Sequence, residues 1–236
     1  MSPKISYFAA MSGVCLIGVL LNYAAMYFFC MWLNIPLFLD TIFTISITFL
    51  YGPLWGAITG GLYNIFCHTL IDMSNWMGYL FALCSIATAL ITHLFVRLFS
   101  VELSLSSRQT ALSVLPQKSQ RLNAIMGKII VLILLSFALC LAMSILGGSI
   151  AAFIIHRTPL LTIDNVTASG VFAPTLIPDN MPLVLSEILA RIPINIIDRL
   201  VSVFLGFGFA LIVQRFILRR GNFLTRTTRT SSNDAN

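Results

Sequence analysis

Six residues with ionisable side chains stand inside, or at the ends of, otherwise apolar stretches of this 236-residue chain: Asp40, His68, Asp72, Glu187, Arg191 and Asp198. A charge at the centre of a membrane helix costs about 2.5–3.5 kcal/mol or more unless it is paired or wetted, so such residues mark a polar interior. Their spacing supports a common direction. Glu187, Arg191, Asn195 and Asp198 follow i, i+4, i+8, i+11 and share one helical face. Asn64, His68 and Asp72 do the same at i, i+4, i+8, as do Asp40, Thr44 and Thr48. The chemistry these side chains offer is binding: charge-assisted hydrogen bonds from the carboxylates and Arg191, neutral ones from Asn64, Asn195 and Thr44. The competing reading is structural. Glu187 and Arg191 then form an i, i+4 pair at a helix end, Asp40 and Asp72 sit among headgroups, Asp198 pairs with Arg199 or His68, and His68 is a satisfied core histidine.

Other chemistries lack their residues. The chain has no Walker A loop, no HExxH, no GxSxG and no Cys/His metal spacing, so neither catalysis nor a metal nor a cofactor is expected. The five cysteines all fall in apolar segments and read as inert packing residues. Basic residues are spread as topology signals and form no patch for nucleic acid.

The elements that must position the polar stripes are membrane helices. Hydrophobic residues make up 58% of the sequence and charged residues 9%, against about 25% charged in an ordinary soluble domain. Mean hydropathy is +0.94. A hydrocarbon core of about 30 Å takes about 20 helical residues. By that rule the sequence predicts six spans, near residues 7–33, 36–51, 53–70, 76–98, 125–155 and 182–218. The first run is too long for a signal-peptide core and reads as an uncleaved helix. The second and third are joined only by Gly52 and Pro53 and could instead form a re-entrant hairpin, although Asp40 and Asp72 at the outer ends favour two short spans. Six spans with both termini cytoplasmic put 11 of the 14 basic residues on one side, which satisfies the positive-inside rule. The expectation is therefore an all-α, multi-pass protein of the bacterial inner membrane. Its membrane domain covers residues 1–220, with a cytoplasmic linker near 100–123, an outer loop near 157–181 and a disordered tail over 221–236.

Small residues add a second pattern. Gly56 and Gly60 form GxxxG on the third span, which reads as packing within the bundle. Ala9 and Gly13 form a small-xxx-small pair on the first, where an accessory subunit could dock.

The stretch LFLDTIFTISITFLYGPLWGAITGGLYN, residues 37–64, resembles the second and third helices of the substrate-binding S components of energy-coupling factor transporters. The segment EILARIPINIIDRLVSVFLGFGFALIV, residues 187–213, is similar to the last helix of that group. The resemblance implies a six-helix protein that takes up a vitamin or vitamin precursor from the outer side. It implies as partners a transmembrane coupling subunit and two ATPase subunits, with solute among the outer halves of the later helices and docking on the first helix. The solute contacts expected on this reading are Asp198, Arg191, Glu187 and Asn195, then Asp40, Asn64 and His68, with Ala9 and Gly13 for docking. Alternatives are a membrane sensor with a ligand-binding transmembrane domain and a standalone ion-coupled secondary transporter, the latter without the two-half repeat many such transporters carry.

Overall fold

A computed structural model describes residues 3–33, 37–71, 76–103, 105, 117–157 and 181–233. Among these every regular element is helical. Helix α1 covers Pro3–Met26 and continues as a π-helical stretch over Tyr27–Trp32. Helix α2 is Ile42–Tyr51, α3 is Pro53–Ile71, and α4 is Ala82–Leu98, entered through a 3-10 turn at Trp76–Phe81. The last two helices are long: α5 runs Gln117–Arg157 and α6 Leu183–Asn233, the latter through Pro193 without interruption. The backbone of α6 thus carries helix into the polar stretch from 221 to 233, where the sequence expectation is a disordered tail. Residues 104 and 106–116 of the expected cytoplasmic linker, and the expected outer loop over 158–180, lie outside the described residues.

Four helical stretches are long and apolar enough to cross a membrane: Tyr7–Cys30, Met77–Leu98, Leu122–Arg157 and Leu183–Phe216. Among the described residues six helices are present, but four stretches reach the length and apolarity of a full crossing. Residues 36–51, expected as a short span, contain a helix of 10 residues. At about 1.5 Å per residue it is about 15 Å long, half a hydrocarbon core. The reason lies just upstream. Leu39 takes φ 47, a left-handed conformation that a leucine adopts only under constraint, and its amide is held by a side chain of α6. The chain therefore enters α2 as a non-helical strap over residues 37–41.

At its other end α2 stops at Gly52, whose φ of 92 suits glycine, and Pro53 starts α3 with its missing N–H at a position that needs no donor. The reversal lays α3 against α2. Gly60 makes this contact possible, since a Cβ there would stand 2.7 Å from Ser85 Cβ and 3.1 Å from Thr44 Cγ2. The GxxxG of α3 is thus spent inside the bundle, as its spacing predicts.

Helix α2 is the most enclosed element, with Ile42, Thr44, Ile45, Ser46, Ile47, Thr48 and Phe49 all buried. It is ringed by α1, α3, α4 and α6, while α5 packs along α6. Non-helical backbone such as the strap is tolerated at membrane depth only where protein surrounds it, and Leu39 at 1% exposure meets that condition. The apolar core gathers at the Phe49 end of α2. It joins Ile45 and Phe49 to Leu103 after α4, to Val131, Leu135 and Leu139 of α5, and to Val203, Phe207 and Ala210 of α6. Phe49 and Phe207 meet edge to face, centroids 5.2 Å apart. The buried ionisable residues gather at the opposite, Asp40 end.

Candidate solute-binding site

Helix α6 is the spine of the polar end. Its face carries Glu187, Arg191, Asn195 and Asp198, and each turn meets a different neighbour. Asp198 is fully buried. Its Oδ1 accepts from the Leu39 amide at 2.8 Å, and its Oδ2 lies 2.5 Å from an Arg199 guanidinium nitrogen. Arg199 also donates to Thr41 Oγ1 at 2.6 Å and stands 3.4 Å from Asp40 Oδ1. Two carboxylates and one guanidinium therefore fasten the strap and the start of α2 to α6.

One turn up, Asn195 Nδ2 donates to Ser144 Oγ of α5 at 2.9 Å. Above it Arg191 and Glu187 pair at 3.8 Å, the i, i+4 contact their spacing predicts. The Arg191 guanidinium also lies 5.7 Å from the ring centroid of Phe81. Phe81 is shared: His68 of α3 stacks on it at 6.3 Å and 19°, and meets Tyr79 edge-on at 6.0 Å. Arg191 and His68, from different stripes, thus converge on one aromatic ring.

Asn64 bonds elsewhere. Its Nδ2 donates to Ser85 Oγ at 2.6 Å and to the Gly60 carbonyl at 3.1 Å, tying α3 to α4. Cys84, the residue before Ser85, lies within electrostatic reach of Arg199, Arg191 and Asp40, and Tyr63 of α3 within reach of Asp40 and Asp198. Polar residues of α2, α3, α4 and α6 thus lie within electrostatic reach of one another in the interior of the bundle. Asp72 lies outside the described residues. Ala9 and Gly13 are remote from all of these, on an outward face of α1 where Ala9 is exposed and a Cβ at Gly13 would meet nothing within 4 Å.

Exposure separates two kinds of charge in this interior. Asp40 and Arg191 retain 21% and 15% of their side-chain surface, whereas Glu187 and Asp198 retain 1% and Arg199 7%. Asp40 and Arg191 are thus the charges of this cluster that still present surface, whereas Glu187, Asp198 and Arg199 are enclosed.

Sequence reasoning had Arg199 only as a possible partner for Asp198, and missed Asn22, Thr41, Ser85 and Ser144. Asn22 is fully buried in α1, accepts from the Phe43 amide at 2.9 Å and donates to Thr44 Oγ1 at 3.0 Å. A lone asparagine within a long apolar run is the signal that could have found it. An open apolar groove of about 210 Å³ lies apart from the polar end, lined by Val14 and Gly18 of α1, Phe43 and Ile47 of α2, and Phe209 and Val213 of α6. None of the expected solute residues borders it. The chain matches no protein-family profile, no characterised protein and no solved structure.

Proposed function

We propose that the chain is the membrane-embedded capture subunit of an ATP-driven importer for a small polar micronutrient, which it binds from the outer side. The observation that carries this reading is the pair of partly accessible charges, Asp40 and Arg191, in the polar cluster at one end of a bundle whose other end is filled by the Phe49, Leu135 and Phe207 core. A charged end backed by packed apolar side chains suits capture and hand-over better than conduction through the chain alone. Release then requires partners that open the closed end. The outward face of α1 around Ala9 and Gly13, beside the apolar groove, is the surface on which a transmembrane coupling subunit with its two ATPases would sit. The supporting helices position the site, and the chemistry is binding without bond making.

The test is purification of the tagged chain at native expression in mild detergent, read by mass spectrometry. Recovery of two ATPases and one membrane coupling subunit supports the importer. A chain recovered alone, and active in liposomes under an ion gradient, would replace it with an ion-coupled transporter.

A further inference from the structure

Among the described residues, the charged side chains paired at the polar end do not sum to zero. Arg191 is matched by Glu187, and Arg199 is matched by Asp198 at 2.5 Å. Asp40 is the surplus carboxylate, held by Arg199 only at 3.4 Å and at the edge of a guanidinium already engaged by Asp198 and Thr41. Among the described residues, the other groups within electrostatic reach of Asp40 are Asp198 on α6, Tyr63 and Cys67 on α3, and Cys84 on α4, and none of them brings a positive charge. A net negative charge enclosed among membrane helices is costly until a cation meets it. Asp40 is also the most accessible of the five charged side chains, so the surplus is the charge that a solute can reach.

A second observation lies one turn along α6. Ser202 Oγ is fully buried and has no hydrogen-bond partner among the described residues. It shares a face with Asp198, which binds the Leu39 amide, and with Gly206, where an added Cβ would stand 2.8 Å from the Ile42 carbonyl. That face packs on the strap and the start of α2, so a vacant polar oxygen accompanies the surplus carboxylate there.

We propose that the captured solute carries a single cationic group, an ammonium or amidinium, and that Asp40 receives it. The inference rests on the capture reading and names its substrate class. The pocket would then discriminate by charge: Arg191, already matched by Glu187, has no unbalanced charge to offer an anion.

The test uses three probes of similar size on the full chain in detergent: n-butylammonium, butan-1-ol and butyrate, read by unfolding temperature from tryptophan fluorescence. n-Butylammonium at a saturating concentration should raise the midpoint by about 2–4 °C, with no shift from the other two. Asp40→Asn keeps the amide oxygen for Arg199 but removes the charge. It should unfold at a higher temperature than the parent without any probe, and lose the response to n-butylammonium. An Asp40→Asn variant less stable than the parent would overturn the surplus-charge argument. Protection by butyrate alone would overturn the assignment of a cation and leave solute capture standing. No response to any probe, with no ATPase co-purifying, would overturn both.

Discussion

Asp198 carries two duties at once, and they can be separated by substitution. It neutralises Arg199 and it satisfies the amide of Leu39, a residue held at positive φ. Asp198→Ala leaves a buried guanidinium with one distant carboxylate and orphans a buried N–H, so it should cost about 3–5 kcal/mol, as broken buried pairs do. Asp198→Asn keeps an acceptor for Leu39 and should cost less. Removing both partners with Asp198→Leu and Arg199→Met should cost less than Asp198→Ala alone, because no unpaired charge remains. Urea or thermal unfolding of the purified variants reads all three. Independent costs that merely add would show that the two side chains do not act as a unit. Asn22 makes a similar case without charge. Asn22→Ala removes a donor to Thr44 and an acceptor for Phe43, and should lower stability by about 1–2 kcal/mol, near the upper end for polar contacts between membrane helices.

At the scale of elements, α2 depends on its neighbours for both its length and its position. Ten residues cannot span, so α2 must be held by side chains rather than by the bilayer. Gly60 is where that holding is closest. Gly60→Val should force Thr44 or Ser85 aside and destabilise the bundle by about 1–3 kcal/mol, the usual range for overpacking, whereas Gly13→Val meets open space and should leave stability unchanged. Comparable losses from the two would mean that α3 and α2 are not in contact at Gly60.

This element also shows where sequence reading reached and where it stopped. The apolar runs, the Gly52–Pro53 reversal, the internal role of GxxxG and the i, i+4 pair of Glu187 and Arg191 follow from local rules of length, backbone freedom and helical spacing. The strap does not. Residues 37–39 are apolar like the helix that follows, and only a carboxylate from α6, 159 positions away, takes the Leu39 amide out of a helical ladder. The same limit applies to Asn64. Its stripe with His68 is visible in sequence, but its bond to Ser85 depends on how α4 lies against α3. Periodicity finds the face and not the partner.

Over the whole molecule, polar and apolar interiors are divided end to end, and the division makes separable predictions. Within membranes helices have little hydrophobic reason to associate, so the Phe49–Phe207 end is held by dispersion and shape. Phe49→Ala opens a void there and should cost about 3–5 kcal/mol if the cavity stays empty. It is remote from Asp40 and Arg191, and in a chain kept folded at low temperature the response to an added solute should be retained. The α1 face answers the opposite way. Ile17 is 59% exposed and borders the apolar groove, and Gly13 sits one turn before it on α1. A bulky pair, Gly13→Leu with Ile17→Trp, touches no buried contact and should leave the unfolding midpoint within about 0.5 kcal/mol of the parent, as surface changes do. If a coupling subunit docks on this face, the same pair should abolish co-purification of the ATPases while solute protection of the isolated chain persists. Loss of protection together with co-purification would mean that the two ends are not independent, and that the recess at Asp40 is shaped by the partner rather than by the six helices alone.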